Sequence, residues 1–184
     1  KDLAKAWVGM KDGSKTFRAA QREISKAVVG MNIDQGTAIE TAKAFQQHFG
    51  GDPTRLGFKN LSTAIRTFSV MGLNADEAVG GMARMVKQSN LSEKAARDLY
   101  GEVFVLGREF DKGDTVLKDY ASKVGEIQTQ LLKIGDTTPE SMTKASRSIA
   151  ILGGALSKAG IQDGVGKAVG VFKTLTDAQD AWQK

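Results

Sequence analysis

The chain has 184 residues, 41% hydrophobic and 26% charged, which is typical of one globular domain or two small ones and not of a disordered chain. It has no cysteine and a single histidine, which excludes disulfides, zinc–thiolate sites and a site built from several histidines of one chain. The longest stretch without a charged residue, 148–157, is far shorter than the ~20 apolar residues of a membrane-spanning helix.

The first predicted element is a basic helical segment at residues 1–30, which holds much of the net charge of +5. It carries three acidic side chains and seven basic ones, namely Lys1, Lys5, Lys11, Lys15, Arg18, Arg22 and Lys26. Such a segment can bind nucleic acid or an anionic membrane, or it can be a solvated helix face. We favour the solvated face, because no nucleic-acid recognition motif accompanies the charges. The candidate patch for an anionic partner consists of Lys11, Lys15, Arg18 and Arg22.

The helical-hairpin body, residues 31–184, is predicted to follow. Its helices begin at residues whose side-chain oxygens can accept hydrogen bonds from the first helical turn. These predicted N-caps, after Asp12 or Ser14 in the first segment, are Asp34, Asp52, Asn74, Ser92, Asp114, Thr138 and Asp163. Pro53 and Pro139 follow two of the caps at the first helical position, and Asn74 with Glu77 forms a capping box. Residues 102–107, "EVFVLG", have a strand-like composition, but their helical flanks favour a helix.

The fold is therefore predicted to be all-α, with eight to nine short helices in antiparallel hairpins. Several caps lie 40 residues apart, as Asp34 and Asn74 do, and this spacing is compatible with a short α-solenoid as well as with a bundle. We expect a single helical domain over 1–184. Because the chain starts without methionine and stops without a helix-stop signal, we also expect it to be a fragment of a longer chain.

Glycines are unusually frequent near the carboxyl end. Gly153, Gly154, Gly160, Gly164, Gly166 and Gly170 are candidates for close helix packing or, alternatively, for membrane contact and self-association at a membrane interface. We favour packing, with Gly153 or Gly154 at a backbone contact. Ile149, Leu152 and Leu156 are expected to face the core, and Arg147 and Lys158 to face solvent.

The sequence gives little support for a catalytic function. His48 lies at the end of a predicted helix, where a cation suits the helix dipole. Glu140 precedes Ser141 and superficially resembles the catalytic glutamate of lytic transglycosylases, but it also fits the acidic first turn of a helix that begins at Pro139. We therefore predict no enzyme activity, no catalytic residue, no metal site and no cofactor.

A family resemblance rests on residues 72–78, "GLNADEA", and residues 90–95, "NLSEKA". Both resemble segments of tail tape measure proteins of tailed bacteriophages and prophages, in which short helices begin with a Gly-Leu-Ser/Asn-acidic-Ala pattern. The segment "ILGGALSKAGI" is similar to the glycine- and alanine-rich helices of that family. The long coiled-coil part of the family is absent, so the resemblance points to a compact helical module.

The resemblance implies a structural component of the virion. Tape measure proteins lie along the tail lumen after assembly in the host cytoplasm, set tail length, and leave through the tail tube during genome delivery. The implied partners are tube, baseplate and tail chaperone proteins, with self-association and host-membrane contact as further expectations and nucleic acid as an unfavoured one. Alternative functions are a tail-associated peptidoglycan-degrading domain that uses Glu140 and a basic nucleic-acid-binding module.

Overall fold

The computed structural model describes residues 13–183, and their side chains from residue 18 to residue 182. This part of the chain contains eight α-helices and no strand, which confirms the all-α prediction, including a helical conformation for residues 102–107. The helices are α1 (Gly13–Ser25), α2 (Gln35–Phe49), α3 (Leu61–Val70), α4 (Ala75–Gln88), α5 (Glu93–Arg108), α6 (Gly113–Lys133), α7 (Pro139–Lys158) and α8 (Gly164–Gln183). A π-helical turn, Lys26–Gly30, extends α1, and a 3₁₀ turn, Pro53–Leu56, lies between α2 and α3.

Most helices begin where local chemistry predicts. The side chains of Asp34, Asn74, Ser92, Thr138 and Asp163 each accept a hydrogen bond from a backbone N–H in the first turn of the helix that follows. Asp52 does the same for the 3₁₀ turn and not for an α-helix. The predicted caps Asp12 and Ser14 lie outside the part of the chain whose side chains the structure describes.

The predicted cap at Asp114 is wrong. Helix α6 begins at Gly113, two residues earlier than a cap at Asp114 would place it, with Lys112 at the N-cap position and no hydrogen bond from its side chain. The turn before it is tight, because Lys112 N–H donates to the carbonyl of Gly107 at 3.0 Å. The carboxylate of Asp114 is therefore already inside the first helical turn. Conversely, the sequence analysis missed Asn60, whose Oδ1 accepts from Thr63 N–H at 2.9 Å and caps α3.

Three helix connections share one three-residue arrangement, which we name the cap junction. A residue with positive φ is followed by a buried aliphatic residue and then by the N-cap of the next helix. The cap junctions are Asn32-Ile33-Asp34, Gly72-Leu73-Asn74 and Asn90-Leu91-Ser92. In each, the aliphatic N–H donates to a carbonyl near the end of the preceding helical segment, so the junction terminates one helical segment and starts the next.

The chain forms two compact units, and the division between them lies within α4, between Gly80 and Gly81. In the first unit, rings from α2, α3 and the loop between them form a buried cluster around Phe45. The other rings of this cluster are Phe49, Phe58 and Phe68. Glu23 on α1 connects to α3 by accepting hydrogen bonds from Ser62 N–H and Oγ, at 3.3 and 2.7 Å.

In the second unit, α6 and α7 each pack against α5 and α8 and against each other. Tyr120 of α6 lies fully buried at the centre, with its ring edge-on to Tyr100 of α5. Its hydroxyl is 2.6 Å from Oγ of Ser146 on α7. Burial raises the pKa of Tyr120 far above its ordinary value, against the smaller lowering effect of the Ser146 hydrogen bond.

The expected single domain and its segment boundary at residue 30 stay predictions.

Candidate functional site

The strongest candidate from the sequence, the glycine-rich carboxyl end, forms the hairpin of α7 and α8. Gly153 is buried where the two helices approach each other. A Cβ at this position would lie 2.9 Å from Cα and 3.2 Å from the backbone N of Val165 on α8. Real Cβ atoms essentially never come that close to another carbon, so only glycine fits this backbone-to-backbone contact.

Gly154 makes a different contact. A Cβ there would lie 3.1 Å from Cγ and 3.2 Å from Cε2 of the Phe110 ring, which belongs to the connection between α5 and α6. Gly154 is buried, whereas Phe110 is half-buried. This glycine therefore makes room for a side chain rather than for a helix backbone.

The other four candidate glycines differ in how closely neighbouring atoms approach them. Gly164 begins α8, and a Cβ there would lie 2.5 Å from the carbonyl oxygen of Gly153. Gly166 lies against the carboxylate of Asp163, to which its own N–H donates at 3.1 Å. A Cβ on Gly160 or Gly170 would meet no atom within 4 Å. Tight packing therefore concentrates at one end of the hairpin.

The predicted orientation of α7 needs one correction. Ile149 is buried, Leu156 is half-buried, and Arg147 and Lys158 are exposed, but Leu152 is 38% exposed and does not face the core. The buried face of the helix instead consists of Met142, Ala145, Ser146, Ile149, Ala150, Gly153 and Gly154. Gly153 and Gly154 lie on this face because Val165 of α8 and the Phe110 ring come so close to them. Leu152 lies on the outer side of the helix.

The basic patch is described only in part. Arg18 and Arg22 lie one turn apart on α1 with exposed side chains, and Arg22 Nε donates to the Arg18 carbonyl at 3.4 Å. Lys11 and the side chain of Lys15 lie outside the described residues. On the same helix, burial raises the pKa of Glu23, but hydrogen bonds from Lys26 and Ser62 outweigh that effect and hold the pKa below its ordinary value.

The two residues weighed for catalysis lie in separate places. His48 is in the last turn of α2, with Nε2 3.6 Å from Oδ1 of Asp76 and the ring against Gly80. Glu140 is exposed in the first turn of α7 and lines an open groove of about 380 Å³. The other lining residues are Asn90, Leu91, Ser92, Ala95, Pro139, Thr143, Lys144 and Arg147. Arg147 is held by Glu102, whose Oε1 accepts from its Nε at 3.0 Å.

Among the described residues, no three side chains of the histidine, aspartate and glutamate type cluster in a way that would bind a metal ion. No helix between residues 13 and 183 is both long enough and apolar enough to cross a bilayer.

One surface was missed by the sequence analysis. Helix α8 carries an exposed row of apolar residues, Val171, Leu175, Ala178 and Trp182, which we name the α8 stripe. Its spacing of four, three and four residues was readable from the sequence. That spacing is equally typical of a core-facing row, and only the tertiary structure separates the stripe from the core face of the same helix.

Comparison with known proteins adds no relative: no family model, no curated protein and no solved structure matches the chain.

Proposed function

We propose that this chain is a non-enzymatic structural module of a phage tail tape measure protein, which acts in tail assembly and length determination and in genome delivery. In this proposal it lies in the tail lumen of the virion after assembly in the host cytoplasm. Its partners are other tail proteins of the tube, the baseplate or the tail chaperones. The observation that carries the proposal is the cap junction.

The resemblance to tape measure proteins rests on the residue pattern at Gly72-Leu73-Asn74 and Asn90-Leu91-Ser92. In the fold this pattern has a definite structural role, because Leu73 and Leu91 are buried while Asn74 and Ser92 cap the following helices. Each of these junctions ends one helix and starts the next within three residues. The resemblance is therefore supported by residues that determine chain architecture and not by surface composition alone.

Buried contacts in the α7–α8 hairpin also favour a structural role. Gly153 lies against the α8 backbone, Gly154 against Phe110, and Gly164 against the carbonyl of Gly153. A side chain added at any of these three glycines would collide with its neighbour, as is expected where helices pack closely in a structural module.

The proposal is tested by the genes that surround the parent gene and by the virion itself. We expect tail-tube and chaperone genes upstream and baseplate genes downstream. We also expect peptides of residues 18–182 in mass spectra of purified tails, and tailless particles when the parent gene is interrupted. An interrupted gene that leaves tails of normal number and length would contradict the proposal.

A direct assay distinguishes the competing peptidoglycan-degrading function from the structural one. The exposed carboxylate of Glu140 lines an open groove, so a wall polymer would have access to it. Purified chain is incubated with cell walls beside Glu140→Gln and, as a matched control in the same unit, Glu126→Gln. We expect no clearing by any of the three. Clearing that Glu140→Gln alone abolishes would replace the structural proposal with the enzymatic one.

A further inference from the structure

A groove of about 380 Å³ lies between α6 and α8 of the second unit, and we name it the α6–α8 groove. Two hydrogen bonds hold these helices side by side. Thr176 Oγ1 donates to Gln130 Oε1 at 3.1 Å, and Lys133 Nζ donates to Asp177 Oδ1 at 3.2 Å. These contacts fix the rotation of α8 about its axis, and with it the residues that line the groove.

Gly170 keeps part of the groove wall free of side chains. A Cβ at this position would meet no atom within 4 Å, so packing inside the chain does not require glycine here. Gly153 differs, because the neighbouring backbone excludes a Cβ there. Glycine inside a helix is less favourable than alanine, so Gly170 weakens α8 without relieving a contact within the chain. The space beside it is open to a molecule from outside the chain.

Gln130 contributes a buried amide to the same groove. The residue is only 6% exposed, and its Oε1 accepts the hydrogen bond from Thr176. Its Nε2 donates to no atom of the described residues, so the groove that Gln130 lines is where this amide group can meet an acceptor. An amide donor with so little access to water is unfavourable when it has no acceptor. The amide therefore points to a ligand with a hydrogen-bond acceptor.

Lys173 adds a positive charge, and the acidic residues near it are paired with other lysines. It lines the groove and is exposed. Glu126, which also lines the groove, accepts from Lys123 Nζ at 2.8 Å, and Asp177, one turn further along α8, accepts from Lys133. Lys173 itself forms no ion pair among the described residues. Its ammonium group is therefore available to an anion.

The two available donors lie at the same end of the groove. Lys173 precedes Thr176, which holds the Gln130 amide, by three residues and so lies on the same face of α8. A carboxylate has two oxygens and one negative charge, so one oxygen can accept from the amide and the other from the ammonium group. A group with two negative charges fits less well. Lys173 is the only cation among the described residues that line the groove, and Glu126 lies there too.

The size of the groove favours a small molecule. Pockets for small molecules span about 300–1,000 Å³, and the α6–α8 groove lies at the lower end of that range. Away from Lys173, Gly166 and Val169 continue the α8 wall and offer apolar contact to a short hydrocarbon body. Near the α6 wall, Nε of Arg84 lies 3.8 Å from where a Cβ of Gly125 would be. The positive charge of this guanidinium group also favours an anion.

We propose that the α6–α8 groove binds a small organic carboxylate, whose oxygens accept from Gln130 Nε2 and Lys173 Nζ and whose body lies against Val169 and Gly170. This inference does not depend on the proposed tail function. It assigns a binding site to a chain for which we propose no catalysis.

Sodium butyrate is the first probe, and the reporter is the side-chain amide signal of Gln130 in nitrogen-15 NMR spectra of the 184-residue chain. We expect a saturable shift with a dissociation constant in the millimolar range, as is usual for a ligand of about six non-hydrogen atoms. n-Butylammonium chloride at equal ionic strength is the control, because it has the same apolar body and the opposite charge. Lys173→Gln is expected to weaken butyrate binding roughly threefold to fivefold, since an exposed ion pair is lost.

Gly170→Leu tests the place of binding. Its side chain would fill the groove without meeting another part of the chain, so the fold and its melting temperature should be maintained. Butyrate binding, by contrast, should weaken roughly tenfold or more. Gly101→Leu is the matched control, because it adds the same side chain to α5, where a Cβ also meets no atom within 4 Å. It should bind butyrate like the unmodified chain.

Four results would overturn the proposal. One is the absence of a saturable shift up to about 100 mM butyrate, a concentration that detects even very weak binding. Another is an equal shift with n-butylammonium, which would show that the charge is not recognised. The third is full affinity in Gly170→Leu, which would place binding outside the groove. The fourth is full affinity in Lys173→Gln, which would contradict the assigned contact.

Trialanine distinguishes a small molecule from the end of a protein chain. We expect it to bind no more tightly than butyrate. Binding that is much tighter than that of butyrate, and that is lost when the carboxyl group of the peptide is amidated, would overturn the small-molecule assignment. The groove would then be a site for the terminal carboxylate of a protein chain.

Discussion

Gly153 of α7 lies directly against Val165 of α8, so that a Cβ on the glycine would be 2.9 Å from Val165 Cα. Both residues are buried, and the same Cβ would also lie 2.7 Å from Val165 Cγ2, so α7 meets both the backbone and the side chain of Val165 here. This contact explains why this part of the chain contains glycine despite the unfavourable helix propensity of that residue.

Gly153→Ala is therefore expected to destabilise the protein although alanine favours helix. The added methyl group would push the backbones of α7 and α8 apart, at a cost of about 1–3 kcal/mol. Gly170→Ala is the matched control, because it lies within α8 with no atom within 4 Å of the added Cβ. It should stabilise the protein by about 0.5–1 kcal/mol. Urea unfolding of the two variants measures both changes, and equal effects of the same sign would contradict the contact.

Gly154 and Phe110 are expected to be energetically coupled. Gly154→Leu would force its side chain into the Phe110 ring and should destabilise the fold by roughly 1–3 kcal/mol. In a Phe110→Ala background the ring is gone, so the same change should cost markedly less. A double-mutant cycle on the free energy of unfolding gives the coupling. Strict additivity of the two changes would show that the ring is not what limits the space at Gly154.

Helix caps give a third expectation. Ser92 Oγ accepts from Ala95 N–H at 3.1 Å, so Ser92→Ala should lower the free energy of unfolding by about 1 kcal/mol. Asp114 is inside the first turn of α6 and acts only through the helix dipole, so Asp114→Ala should cost about 0.5 kcal/mol or less. A larger loss for Asp114→Ala than for Ser92→Ala in thermal unfolding would reverse the assignment of the two roles.

Glu23 is expected to make stability depend on pH. Its pKa in the folded chain lies below the ordinary value of 4.5, so the ionised carboxylate stabilises the fold above pH 4.5, and this contribution is lost as the pH falls through the folded pKa. Glu23→Gln should therefore lower stability by about 1 kcal/mol near neutral pH and much less in acid.

The control for this titration is Glu126→Gln, which removes an exposed ion pair with Lys123 and should change stability little at any pH. Chemical unfolding of both variants is compared with the unmodified chain across the acid range. A loss of stability in Glu23→Gln that is the same in acid as at neutral pH would show that the carboxylate is not preferentially ionised in the fold.

Helix ends were largely predictable because they depend on neighbours in sequence. A cap side chain bonds to an N–H two or three residues later, and a residue with positive φ ends the helix just before it. Asn60 followed the same rule and could have been found, since asparagine precedes the apolar helix that starts at Leu61. Asp114 was misassigned because Lys112 N–H closes a tight turn on the Gly107 carbonyl and the helix starts directly after it, at Gly113.

The sequence by itself determined that the chain is all-α, where most of its helices start, and that glycine is concentrated near its carboxyl end. Those properties follow from local hydrogen bonding and backbone conformation, which short stretches of residues control. Only the tertiary structure decided which side of each helix is buried. Leu152 and Trp182 both lie in apolar rows of helical spacing, yet both are exposed, because the close approach at Gly153 and the contacts of Thr176 set the rotation of α7 and α8. A periodic pattern of apolar residues predicts that they share one face of a helix. Whether another helix covers that face depends on packing between residues that are distant in sequence.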